Sequence, residues 1–146
     1  MPTNRWLLAG GALSTVAAAL HIAVIIGGPE WYRAFGAGEE MARAAERGSS
    51  TPAIITFAIA VILAIWALYA FSGAGKIRRL PLLKTALVII SAIYLLRALI
   101  LVPSLLFAPE LVDTFAFWSS LVVLIYGLAY SVGTWRAWPA LRSRPT

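Results

Sequence analysis

Hydrophobic positions along the chain gather into four long runs, separated by short polar segments. Crossing ~30 Å of hydrocarbon takes about 20 apolar residues at a rise of 1.5 Å each. Residues 6–27, 52–71, 80–103 and 114–135 all reach that length. The first run carries no charge, only His21, and the second no ionisable group except Tyr69. The third holds Lys84 near its start and Arg97 well inside, and the fourth has no charge. No alternation of period two competes with a helical reading. The pattern predicts an all-α chain, a four-transmembrane-helix bundle forming one integral membrane domain over residues 1–146.

Breakers and caps mark the expected ends. Gly27-Gly28-Pro29 closes the first helix, since proline cannot continue one. Thr51 serves as N-cap and Pro52 as first helical residue of the second. Ser72-Gly73-Ala74-Gly75 ends it. Pro81 suits the first turn of the third helix, Pro103 ends it, and Asp113 caps the fourth. The long connection, residues 28–50, predicts two short helices: Pro29–Phe35, stopped by Gly36, and Glu39–Arg47, with Glu39 and Arg43 paired at i, i+4. This segment is expected to lie across the outer mouth of the bundle as a lid. Rows of small residues (Gly10, Ser14, Ala18; Ala60, Ala64, Ala67; Gly127, Ser131) supply faces for close helix approach, within one chain or between copies. The first run continues past Ala17-Ala18-Ala19 to Gly27, longer than the apolar region of a signal peptide, so it is expected to stay in the membrane.

Charge then orients the helices. Arg5, Lys76, Arg78, Arg79, Lys84, Arg136, Arg142 and Arg144 fall on one side with no acid among them. The other side holds Arg33, Arg43 and Arg47 with all six acids, Glu30, Glu39, Glu40, Glu46, Glu110 and Asp113. The positive-inside rule places both termini in the cytoplasm. The net charge of +6 is therefore a topology signal. It does not indicate nucleic acid, because no basic cluster is interleaved with exposed stacking aromatics. Aromatics fit interfacial belts: Trp6, Tyr69, Phe71, Trp135 and Trp138 inside, Trp31, Tyr32, Phe107, Phe115 and Trp118 outside.

Composition narrows the chemistry. Apolar residues are 61% and charged residues 12%, against roughly 45–50% and ~25% in soluble domains. That excludes a soluble globular enzyme, a disordered chain and a fibrous repeat. With no cysteine, disulfides, thiol redox chemistry, Fe–S clusters and Cys–zinc sites are impossible. A single histidine excludes a two-histidine haem within one chain and, beside scattered acids, makes a poor metal site. No metal and no cofactor are expected.

One constellation stands out. Ionisable groups inside a membrane are costly and need a partner or a purpose. His21 and Arg97 each lie six residues before their helix ends, roughly 9 Å deep. Thr56, Ser119 and Ser120, counted in from the starts of their helices, lie roughly 6–9 Å deep. Tyr94 is one turn deeper than Arg97, and Trp118 sits beside the layer. These groups are expected to line a polar pocket in the outer-leaflet half. There Arg97 would hold an anionic or quinone oxygen, and His21 would donate, accept or shuttle a proton. Glu30, Glu39 or Glu40 would reach in from the lid as a counter-charge. Each has a plain structural reading as well: Arg97 snorkelling to headgroups or locked to an acid, His21 and the hydroxyls bonded to their own helices.

The block Gly27-Gly-Pro-Glu-Trp-Tyr-Arg-Ala-Phe-Gly-Ala-Gly-Glu-Glu-Met-Ala42, then Gly48-Ser-Ser-Thr-Pro52, resembles a stretch of small bacterial inner-membrane proteins. Tyr94–Arg97 and Trp118-Ser119-Ser120 fit the same pattern, and the size and layout are similar to DoxX-like four-helix proteins. The resemblance implies a multi-pass protein of the bacterial inner membrane and brings no activity with it.

Three functions are compatible with these expectations. The first is binding of a small lipophilic or anionic ligand by Arg97, His21, Tyr94, Thr56, Trp118, Ser119, Ser120 and Glu30. The second is an accessory subunit of a membrane complex, or a homo-oligomer. The third is a membrane enzyme acting on a lipid-like substrate, with His21 and Glu39 as acid and base. Membrane lipids are expected partners in all three. No continuous polar stripe crosses the cytoplasmic half, which argues against a channel.

Overall fold

The structure, a computed structural model, describes residues 3–142. Arg144, counted above with the inner-face charges, lies outside the described residues. All regular structure among them is helical: α1 (Arg5–Gly27), α2 (Pro29–Ala34), α3 (Glu39–Glu46), α4 (Thr51–Gly73), α5 (Leu83–Leu99), α6 (Leu101–Phe107), a 3₁₀ turn (Pro109–Leu111) and α7 (Thr114–Arg142). Four helical segments are long and apolar enough to cross a membrane: Arg5–Gly27, Thr51–Gly73, Leu83–Phe107 and Thr114–Arg142. The chain thus has the composition and lengths of a multi-pass membrane protein.

The helix ends follow from local chemistry, with four departures from expectation. Asp113 caps α7 as predicted, its carboxylate accepting the amide of Ala116 at 2.6 Å. The start of α4 sits one residue early, because the carbonyl of Ser50 accepts the Ile54 amide at 3.0 Å. Its end is a Schellman turn: Lys76 N–H reaches Phe71 O, Gly75 N–H reaches Ser72 O, and Gly75 takes φ 76°, which favours glycine. Gly48 closes α3 in the same way. The third span begins at Leu83 and not at 80, since Leu82 is left-handed (φ 53°). Pro103 does not end that span. It lies inside α6 and has no amide to return to Leu99, so one helical hydrogen bond is missing beside Ile100, where the backbone stays helical (φ −56°, ψ −27°). Finally α7 runs on through Pro139 to Arg142, beyond the apolar run.

The chain divides into two compact units, one taking residues up to Leu13 and from Trp66 on, the other Ser14–Ile65. The first unit is built around Tyr130, which is fully buried. Its ring lies 5.3 Å from that of Tyr94, and Tyr94 in turn meets Trp66 edge-on at 5.0 Å and Tyr126 at 5.4 Å. Three glycines let backbones close on this core. A Cβ on Gly10 would stand 2.9 Å from Tyr130 ring carbons, one on Gly73 2.8 Å from Leu7 and Leu87, and one on Gly133 2.8 Å from the Leu7 backbone nitrogen. Asn4 fastens the start of α1, donating to Gly133 O at 2.7 Å and accepting the Leu7 amide at 3.2 Å. Helices α5 and α7 run antiparallel: Lys84 meets Trp138, Tyr94 meets Tyr126 and Tyr130, and Arg97 meets Ser120.

The connection from α4 to α5 is tied down. Ser72 Oγ donates to Arg78 O and accepts the Leu80 amide, both at 3.0 Å. Arg79 donates to the carbonyls of Leu141 at 2.7 Å and Ala140 at 3.3 Å, near the C-terminal end of α7. A cation there complements the helix dipole and satisfies terminal carbonyls.

In the second unit, the buried positions Ser14, Ala18 and Val24 keep one stripe of α1. Val24, Tyr32 and Ala42 form a small core, with Met41 and Ala45 packed against it. Gly27 lies flush under the Trp31 indole. On α4, Thr56, Ala60 and Leu63 are buried. Ala64, assigned by spacing to the packing face, is exposed, because the true stripe runs i, i+3/i+4, i+7 from Thr56.

Candidate functional site

The expected site residues divide between the units. Arg97, Tyr94, Trp118, Ser119 and Ser120 belong to the first, and His21, Glu30, Glu39 and Thr56 to the second.

Arg97 stands on the last full turn of α5 and is exposed. Its Nη1 donates to Ser120 Oγ at 3.3 Å, and Ser120 Oγ donates to Ala116 O at 2.8 Å. Ser119 Oγ bonds the same carbonyl at 3.2 Å. Both serines thus turn back on their own helix, and Ser120 also receives the guanidinium. A guanidinium carries five N–H donors. Among the described residues no carboxylate lies within ion-pair distance of Arg97. Trp118, 61% exposed, flanks Ser120 in sequence and rests edge-on against Phe117 at 5.6 Å. The spacing places Tyr94 near the same face as Arg97. It is buried instead, with its ring in the aromatic core.

His21 continues the buried stripe of α1 but is only half-buried. Its Nδ1 donates to Ala17 O at 2.7 Å, because a carbonyl can only accept. In the neutral ring this leaves Nε2 as the acceptor. Thr56 is buried on α4.

Glu30 and Glu39 are exposed and gather on Arg33. Arg33 Nε reaches Glu39 at 2.8 Å, Nη1 reaches Glu30 at 3.1 Å, and Nη2 reaches Glu46 at 2.7 Å. Arg43 takes the i, i+4 pair with Glu39 at 3.0 Å. Hydrogen bonds from Arg33 and then Arg43 pull the Glu39 carboxyl down to about 2, and those from Glu39 and Glu46 raise Arg33 well above its ordinary value. Through Arg33 and Arg43, Glu39 clamps α2 to α3. Glu40 is exposed at the start of α3. Among the described residues no three His, Asp or Glu side chains are placed so that they could hold a metal ion.

Sequence reasoning missed a second set of polar residues. A groove of about 400 Å³ lies in the first unit, lined by Val88, Ser91, Ser131, Thr134, Trp135 and Trp138. The hydroxyls of Ser131 and Thr134 are buried without a hydrogen-bond partner among the described residues. By spacing the serine is only a small packing residue, and the threonine lies at the end of an apolar run, where a hydroxyl is not distinctive. Comparison of the chain with protein-family models, with curated proteins and with solved structures found no match.

Proposed function

We propose that the protein is an inner-membrane protein with both termini cytoplasmic that binds an amphiphile through its phosphate or carboxylate head at Arg97. The single observation that carries this reading is the state of the guanidinium. It sits in a span of high hydropathy, is exposed, and has one hydroxyl partner and no acid among the described residues. Unmet donors in hydrocarbon are expensive, and a phosphate or carboxylate takes up two of them side by side. Leu96, Leu99 and Trp118, all exposed, offer apolar surface for the tail. Orientation rests on the excess of Lys and Arg on one side.

The test is native mass spectrometry of delipidated protein titrated with phosphatidylglycerol and, in parallel, with inorganic phosphate. Arg97→Gln is expected to weaken the lipid about five-fold, the worth of one basic residue at an anionic surface. Arg97→Lys should recover part of it. Unchanged lipid retention in Arg97→Gln overturns the reading. The same exposed guanidinium would also suit a carboxylate of a second membrane chain, as in an accessory subunit or homo-oligomer. A complex that falls apart in Arg97→Gln, with lipid binding unchanged, would establish that role in its place.

A further inference from the structure

We propose a second, independent site: the groove between α5 and α7 near Trp138 holds one anionic glycerophospholipid, its phosphate on Lys84 and its ester carbonyls on Thr134 and Ser131. Three observations converge on it.

The first is the cation. The ammonium of Lys84 stands 4.3 Å from the centroid of the Trp138 ring, and Trp138 lines the groove. No carboxylate pairs with Lys84 among the described residues. A cation held over an indole at an interfacial position is available to an anionic headgroup.

The second is the pair of orphaned hydroxyls. Ser91, across the groove, has its hydroxyl satisfied by Leu87 O at 2.7 Å, as a serine in an apolar helix usually does. Ser131 and Thr134 have not, although Thr134 is only 5% exposed. A buried hydroxyl without a partner costs on the order of 1–3 kcal/mol. Both residues line the groove, and ester binding requires each hydroxyl to turn into it by a staggered rotation about χ1. An acceptor lying in the groove would relieve both.

The third is spacing. Trp138 and Thr134 are one turn apart on α7, about 6 Å, and Ser131 follows about 4.5 Å further along. A glycerophospholipid carries its phosphate and then, one glycerol unit deeper, its ester carbonyls. The cation and the hydroxyls stand in that order along the helix. Beyond them the groove is apolar and open-sided, with Val88 and Trp135 exposed to the hydrocarbon. Its volume lies within the ~300–1,000 Å³ of small-molecule sites. Soluble phosphate or a short polar ligand would leave the Val88–Trp135 wall uncovered, so a membrane lipid is the occupant that satisfies every part.

The experiment is native mass spectrometry of the full chain, delipidated and titrated with phosphatidylglycerol, phosphatidylcholine of the same acyl chains, or glycerol phosphate. The wild type should take up phosphatidylglycerol preferentially and ignore glycerol phosphate. Lys84→Gln should lower phosphatidylglycerol affinity about five-fold and leave phosphatidylcholine unchanged. The shape-preserving pair Thr134→Val and Ser131→Ala should weaken both lipids about five-fold, since both carry the esters. Val88→Trp, which fills the groove at a lipid-facing position, should abolish the site without touching the Tyr130 core. In Arg97→Gln the Lys84-dependent preference should persist, which separates this site from the one above. Loss of that preference in Arg97→Gln but not in Lys84→Gln overturns the groove and leaves the Arg97 reading standing. So does unchanged binding in the double hydroxyl variant.

Discussion

The hydroxyl of Tyr130 donates to the backbone carbonyl of Trp66 at 3.0 Å, a bond between α7 and α4 across 64 residues of chain. The ring below it is fully buried and touches Tyr94. A tyrosine so placed supplies apolar bulk to the core and satisfies a polar atom at once. Tyr130→Phe keeps the bulk and loses the bond, and should cost about 1 kcal/mol. Thermal unfolding in detergent, followed by helical circular dichroism, will read it as a lowered midpoint with an unchanged folded spectrum. An unchanged midpoint would mean that the bond contributes nothing net.

Gly133 is a site of close approach, where Leu7 backbone and side chain occupy the space a methyl would need. Gly133→Ala should destabilise by about 1–3 kcal/mol, because overpacking against backbone cannot be relieved by rotating a side chain. Gly11→Ala meets first the ring of the half-buried Phe71, a side chain that can turn aside, and should cost less. The two midpoints measured side by side test the ordering.

Arg79 joins the α4–α5 connection to the C-terminal end of α7. Arg79→Gln should loosen both, at about 1 kcal/mol for the lost hydrogen bonds. Hydrogen exchange is the measurement of choice: amides of α7 from Ala137 to Arg142 should exchange faster, with those around Tyr130 unaffected.

The clamp on α2–α3 is pH-dependent with a definite sign. The Glu39 carboxyl is lowered from about 4.5 to about 2, so its ion pairs stabilise the hairpin fully above about pH 4.5. That contribution is lost as pH falls through about 2. Hydrogen exchange at Met41–Glu46 should therefore keep constant protection from pH 7 to 5 and lose it toward pH 2, after correction for the intrinsic rate. High salt should narrow the difference, since these pairs are exposed.

The spans were legible in the sequence because a run of some 20 apolar residues has little alternative to a long helix, and the stops at Gly27-Gly28 and at Gly36 were legible because glycine accepts the turn that follows a helix. The two short helices after Gly28 were legible, as was the Glu39–Arg43 spacing, but the centring of three acids on Arg33 was not. That depends on how the two short helices fold back, which spacing along one helix does not encode. Depth along the helices was computable for Arg97 and Ser120, and they do meet. Direction around the helix was not: Tyr94, three residues away and nominally on the same face, went to the core. Nor could spacing show that Ser131 and Thr134 would be left unpartnered, since a hydroxyl's partner is chosen by side-chain rotamer and not by position along the chain.

The interruption at Ile100 has a mechanical meaning. α5 is fastened to α7 along its length, whereas the seven residues of α6 follow a joint where proline withholds an amide from Leu99. When a bilayer thins or thickens by a few ångströms, a rigid rod must lean as a whole and drag its neighbours with it. Here a bend near Ile100 breaks one hydrogen bond fewer than a bend inside α5, because Pro103 offers no amide to Leu99. A change in thickness that bends the span there leaves Lys84, Tyr94 and Arg97, all on α5, in place against α7.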